Sequence, residues 1–293
     1  MTHKAGFVNI IGRPNVGKST LANILVGERL SIITHKPQTT RHRILGIVNG
    51  EDFQIVFSDT PGFVKDAAYK MHEQMNSFVH ETFDDADVII FMTDTKEAFD
   101  QEEVIFERLK HVKVPKFLII NKVDLVKPVE VLQLIQKWTK RLEFDEVFPI
   151  SALKNHNVEE LVSYIVKYLP ESPAYYPKDQ LTTRSERFFV SEIVREAILK
   201  LYQQEIPYHC EVIVDRFKEE KGMTKIWATI YVGRETHKSI LVGKGGSAIK
   251  QLGIESRKGI ERFLMSDVFL NLNVKVKANW RDDEDSLRRF GYQ

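Results

Sequence analysis

The chain has 293 residues, room for about two domains. It is 43% hydrophobic and 28% charged with a formal net charge of +1, so it is neither a disordered chain nor a polycation. Any affinity for nucleic acid must come from a local patch. The single cysteine, Cys210, excludes an internal disulfide and a Cys-rich zinc site and suits a reducing cytosol. It sits among Tyr208, Val212 and Val214 and reads as a buried strand residue.

In chain order, Phe7–Ile11 is an apolar run that reads as a buried strand, entered with no signal or transit segment before it. Gly12-Arg13-Pro14-Asn15-Val16-Gly17-Lys18-Ser19 follows, and Thr20 opens a stretch of helical spacing that ends near Gly27. Strand, loop and helix in that order fit the phosphate-loop pattern G-x-x-x-x-G-K-[ST]. Glycine lets the backbone approach a pyrophosphate closely, and the loop N–H groups and helix N-terminus meet its charge. Gly12 through Thr20 are therefore the expected phosphate-binding residues. Lys18, expected in a solvated loop, would reach the β- and γ-phosphates, and the Ser19 hydroxyl would ligate magnesium.

Residues 31–40 are polar and irregular. Residues 43–49 and 53–58 read as two strands joined at Asn49-Gly50, a hairpin turn signal. Further strands are expected at 87–94, 116–120 and 148–150, with helical spacing over 67–85, 99–111, 129–142 and 157–168. This alternation implies a mainly parallel sheet with helices on both faces, with ligands at the carboxyl ends of the strands.

The remaining chemistry signals fall at those ends. Asp59 follows a strand and can hold magnesium through water, while the Gly62 N–H can meet a γ-phosphate. Thr39 or Thr40 can complete the metal shell, and Thr40 is the favoured one. Asn121-Lys122-Val123-Asp124 follows a later strand. Asp124 can accept from both N1–H and the 2-amino group of guanine, whereas adenine would leave the charge unpaired. Charged hydrogen bonds contribute roughly 1.5–3 kcal/mol each, enough to discriminate. Asn121 is expected to tie this loop to the phosphate loop, and the Lys122 stem to cover the base. Ser151-Ala152-Leu153 can offer a backbone N–H to the guanine carbonyl.

These five motifs resemble those of the translation-factor-like GTPases. The segment Lys36-Pro37-Gln38-Thr39-Thr40-Arg41-His42-Arg43 is similar to the switch region of one branch, the Era ribosome-assembly GTPases. After Gly62 stands Phe63, where many signalling GTPases carry a water-orienting glutamine. In related GTPases with an apolar residue there, the asparagine matching Asn15 helps hold a potassium ion near the phosphates. The resemblance thus implies potassium beside magnesium, its charge offsetting that of the transition state; the other reading of Asn15 is a plain capping role.

Leu169–Lys178 carries three prolines and reads as a semi-rigid linker. The expected division is 1–170 for the nucleotide domain, 171–182 for the linker and 183–293 for a second domain. In the latter, 185–203 is amphipathic and 210–217 and 225–232 are strands. Ser247–Leu252 and Ile254–Met265 read as two helices broken at Gly253, and 270–278 as a last strand. The order helix–strand–strand–helix–helix–strand with Gly243-Lys244-Gly245-Gly246 resembles an α+β type II KH domain. The glycines let a single strand's phosphates run along the backbone, and Lys244 supplies charge. Arg234, Lys238, Lys250, Arg257, Lys258 and Arg262 cluster around the loop in sequence. No second phosphate loop is present, which separates the chain from double-GTPase relatives.

Era proteins share this GTPase-then-KH order. Tyr175-Tyr176-Pro177, Arg184–Phe188 and Asn279–Asp283 also look like theirs, although Thr183 stands where many members carry an acidic residue. The resemblance implies a GTPase that converts GTP to GDP and phosphate. It would act as a cytoplasmic monomer, bind the 3′ end of small-subunit ribosomal RNA and assist 30S assembly. The competing reading is a signalling GTPase with the second domain as adaptor for a protein or for the inner face of the membrane. For the membrane there is neither a lipidation motif nor a strongly basic amphipathic helix.

Overall fold

The structure is a computed structural model that describes residues 2–64, 66–96 and 103–292, with residues 103 and 104 by backbone alone. The chain forms two compact units. The first holds residues 1–31, 37–65 and 75–183, and the second residues 32–36, 66–74 and 184–293.

The elements of the first half are β1 (Lys4–Ile11), α1 (Lys18–Val26), β2 (Ile44–Asn49), β3 (Phe53–Asp59), α2 (Lys70–Asp84) and β4 (Val88–Asp94). They continue with α3 (Glu103–His111), β5 (Lys116–Asn121), α4 (Pro128–Thr139), β6 (Glu146–Pro149) and α5 (Val158–Tyr168). The part of the expected 99–111 helix before residue 103 lies outside the described residues. The six-stranded sheet has the order β2-β3-β1-β4-β5-β6. Only the β2–β3 hairpin is antiparallel; β1 pairs parallel with both β3 and β4, and β4–β5 and β5–β6 are parallel. Central strands covered on both faces read as near-continuous apolar runs, and in β4 every residue is buried, with Val88–Met92 apolar. One face packs Leu21 and Leu25 of α1 and Leu161 and Ile165 of α5 over Ile10, Ile90 and Ile119. The other packs Phe106 and Leu109 of α3 and Trp138 of α4 over Phe91 and Leu118. With five strands running the same way, their carboxyl ends share one edge of the sheet.

The proline-rich stretch is held more firmly than a spacer. Gln54, fully buried in β3, accepts from the N–H groups of Tyr175 and Tyr176 at 2.7 and 2.9 Å and donates to Tyr176 O at 2.8 Å. Thr182 Oγ1 donates to Leu45 O at 2.6 Å. The segment thus runs as an extra edge along the β2–β3 hairpin.

The second unit contains α6 (Glu186–Leu201), β7 (Cys210–Glu220), β8 (Met223–Val232), α7 (Glu235–Val242), α8 (Ser247–Leu264), β9 (Asp267–Val276) and α9 (Glu284–Arg289). Its sheet, β7-β8-β9, joins an antiparallel pair to a parallel one. Cys210 is buried at the start of β7, as expected. Two expectations are corrected. Gly253 does not break a helix: α8 is one 18-residue helix. A mid-helix glycine costs only about 1 kcal/mol, less than the packing of Leu252, Ser256 and Ile260 on one buried stripe returns. The other central helix is α7, which the sequence reading passed over. Its buried residues are His237 and Leu241, one turn apart, with Val242 packed partly against the core, too short a pattern to register. Among the described residues no helix is long and apolar enough to cross a membrane.

Candidate nucleotide site and nucleic-acid interface

The phosphate loop leaves β1 at Gly12 and enters α1 at Lys18. Two glycines are forced by geometry. Gly12 (φ 149°) and Gly17 (φ 109°) occupy positive φ, and a Cβ on them would fall 2.1 Å from Met92 O and 2.2 Å from Asn121 Nδ2. The N-cap of α1 is Gly17, which has no side chain to cap the first turn. Lys18 is buried rather than solvated, because it is the first residue of α1 and lies under the arch. Its Nζ donates to Gly12 O and Arg13 O, both at 2.8 Å. Asn15 is exposed at the crest in left-handed backbone, φ 67°.

Ser19 Oγ lies 3.0 Å from Thr40 Oγ1. Asp59 ends β3 beside them, only 2% exposed, and neither carboxylate oxygen has a hydrogen-bond partner among the described residues. Burial pushes its pKa up, against the pull of the nearby Ser31 and Ser19 hydroxyls and of Lys18. A buried carboxylate near the Ser19 hydroxyl, which itself touches Thr40, is a donor set for a hard divalent cation with its water. Gly62 packs closely on Pro14: a Cβ there would lie 2.6 Å from the Pro14 ring. Phe63 is partly buried against the apolar cluster under α3 and α4, edge-on to His80.

Asn121 ends β5 and works in both directions. Its Nδ2 donates to Val16 O at 2.8 Å, and its Oδ1 accepts from Ala152 N at 2.9 Å. One buried amide thus ties the phosphate loop to the loop after β6. Lys122 Nζ reaches Asn15 O at 2.7 Å and Asp94 Oδ2 at 2.5 Å. Asp124 lies beside Ser151, whose hydroxyl is the main reason its carboxyl is held below the usual range, with Lys154 3.6 Å away. It is ionised at neutral pH and ready to accept two N–H donors. Ala152 N–H is engaged by Asn121, so a base carbonyl would share it or take the N–H of Leu153, whose side chain is exposed. The first-unit candidates come from the ends of β1, β3, β5 and β6 and gather at one sheet edge. The sequence reading missed Asp94, whose only signal was its place at the end of β4.

In the second unit, Gly243-Lys244-Gly245-Gly246 joins α7 to α8. Gly243, Gly245 and Gly246 all have positive φ. A Cβ on Gly243 would strike Ala248, whereas at Gly245 and Gly246 it would meet nothing within 4 Å. The outer half of the loop is therefore bare, approachable backbone at the N-terminus of an 18-residue helix. The structure divides the basic residues. Lys238, Lys244 and Lys250 flank the loop, whereas Arg257, Lys258 and Arg262 lie roughly 15–22 Å along α8, at 1.5 Å per residue. The reading also missed Ile240, 51% exposed in the last turn of α7.

Residues 7–122 match a family model described as a 50S ribosome-binding GTPase, and residues 205–281 match the KH domain. Over 290 residues the chain is 46% identical to GTPase Era of Lactobacillus helveticus (strain DPC 4571), covering 99% of this chain and 96% of that protein. The chain belongs to the Era family of GTPases. Two solved Era structures superpose with a TM-score of 0.94 at 39% identity, each covering 99% of both chains. One is Era with MgGDPNP and nucleotides 1506–1542 of 16S ribosomal RNA; the other is an Era variant from Aquifex aeolicus bound to GDP·AlF4−. Membership of the Era family accounts for both units at once, the P-loop GTPase fold and the KH fold.

Proposed function

We propose that this Era-family GTPase binds GTP at the edge formed by the ends of β1, β3, β5 and β6. It hydrolyses the nucleotide there and holds the single-stranded 3′ end of small-subunit ribosomal RNA on Gly243–Gly246, assisting 30S assembly as a cytoplasmic monomer. The observation that carries the nucleotide half is Asn121, whose amide joins the phosphate loop to the loop after β6 while Asp124 stands ionised beside them. The RNA half rests on the bare outer backbone of the glycine loop and on the Era relative solved with 16S RNA.

In this reading Gly12–Thr20 cradle the phosphates, and Lys18 turns from the loop carbonyls to the β- and γ-oxygens. Ser19 and Thr40 would hold magnesium directly and Asp59 through water, and the ion would supply charge neutralisation for the β- and γ-phosphates. Gly62 N–H meets the γ-phosphate, and Lys122 covers the base that Asp124 and the Ser151–Leu153 loop read. Phe63, packed away, offers no hydrogen bond to a water. In its place, potassium held by Asn15 would supply charge stabilisation.

The test is a nucleotide-specificity switch with a parallel RNA measurement. Asp124→Asn should weaken GTP binding and improve binding of xanthosine triphosphate, because an amide can accept from N1–H and donate to the 2-oxo group of xanthine but cannot accept from both N–H donors of guanine. Unchanged GTP affinity in calorimetry would remove Asp124 from the site. Filter binding with single-stranded small-subunit RNA should show retention; none would favour the adaptor reading.

A further inference from the structure

Asp94 ends β4, in register with Asn121 at the end of β5. Its side chain is 11% exposed, and both carboxylate oxygens are engaged. Oδ1 accepts from Lys96 N at 2.9 Å and Oδ2 from Lys122 Nζ at 2.5 Å. The same ammonium donates to Asn15 O at 2.7 Å. A lysine head on a flexible four-carbon stem is poorly fixed alone; a carboxylate held at both oxygens fixes it.

The consequence lies in the phosphate loop. A trans peptide points its C=O and the following N–H in opposite directions. Holding Asn15 C=O on Lys122 turns Val16 N–H away from that lysine. The Asn121 bond to Val16 C=O does the same for Gly17 N–H. Two consecutive amides of the candidate cradle are thus aimed by anchors outside it. Asn121 is buried and needs no help, but Lys122 is 33% exposed and leans on Asp94.

We propose that Asp94 is a positioning residue for the phosphate cradle: by fixing Lys122 Nζ it holds the Asn15 peptide and lengthens the lifetime of bound guanine nucleotide. The proposal rests on the reading of this edge as a guanine-nucleotide site. Asp94→Asn keeps size and removes charge. Dissociation of a fluorescent GDP analogue from the full chain, followed by stopped flow, should accelerate about tenfold, equivalent to about 1.4 kcal/mol. The preference for guanine over xanthine nucleotide should not move, since Asp124 reads the base. In a Lys122→Met background the same change should add less than about twofold, the limit of ordinary additivity. If stopped flow is too slow for that background, competition with GDP up to millimolar concentration gives the same ratio. An unchanged rate in Asp94→Asn overturns the proposal, as does a full tenfold effect persisting without Lys122. A lowered melting temperature with an unchanged rate would make Asp94 a residue of the fold alone. If the parent chain does not bind the analogue, the nucleotide reading itself falls, a result distinct from the other two.

Discussion

Replacing Gly17 by alanine tests whether the phosphate loop and the base loop are one mechanical unit. The residue sits at φ 109°, and a Cβ there would fall 2.2 Å from Asn121 Nδ2. The backbone strain alone is about 1–3 kcal/mol. The methyl must also push the Asn121 amide aside, breaking its bonds to Val16 O and Ala152 N, each contributing about 0.5–1.5 kcal/mol net. The sum is about 2–6 kcal/mol, a large share of the roughly 5–15 kcal/mol that holds an ordinary domain. Gly27→Ala is the internal control. It also has positive φ, at 78°, but a Cβ there meets nothing within 4 Å, so only strain of about 1–2 kcal/mol is expected. Pulsed hydrogen exchange across a urea titration, read on β1 and β5 peptides without nucleotide, reports this sheet alone. Gly17→Ala should lower its unfolding midpoint well below that of Gly27→Ala, and GDP affinity should fall with it. If the two variants unfold together, the Asn121 bridge contributes nothing and the reasoning is refuted.

Two further predictions concern the cation and the second unit. Potassium should accelerate GTP hydrolysis over sodium by at least about tenfold, a small part of the 10³–10⁵ that a supplied arginine gives elsewhere, and Asn15→Ala should erase the difference; equal rates in matched buffers would shift the missing charge to a partner. His209 has its pKa pushed down from 6.5 to about 4 by burial, with Arg281 and the neighbouring His237 adding repulsion and Glu205 opposing it. The unfolded chain then binds the proton first, so the second unit should lose up to about 3 kcal/mol as pH falls from 6.5 to 4; urea titrations of His209→Gln should show a flatter pH profile, and an identical one would clear His209 of that role.

Features dictated by backbone chemistry were legible in the sequence. The glycines of the phosphate loop announce positive φ and close approach, and the apolar strands announce a sheet covered on both faces. The order of motifs follows because parallel strands bring their carboxyl ends together. Contacts that join distant residues leave no local trace. Gln54 reads as one polar residue in a strand, yet it orders the proline-rich segment more than a hundred residues later. Asp94 reads as a strand end, and its role depends on register with Asn121. Lys18 reads as a loop lysine, but the first turn of α1 carries it under the arch. Gly253 shows the opposite error, a local signal overruled by the long packed face of α8.

The central claim couples a guanine-nucleotide site to an RNA loop in one chain. The most direct test is a titration of a fluorescent RNA carrying the 3′ end of small-subunit ribosomal RNA, with a non-hydrolysable GTP analogue present. It compares the parent with a variant carrying Lys244→Asp and Gly245→Asp. The parent should bind, with affinity falling steeply as salt rises, because phosphate contacts release counterions. The variant should lose the RNA while hydrolysing GTP at the parent's intrinsic rate, since its two carboxylates stand where phosphates would run. RNA affinity that survives both substitutions would contradict the account.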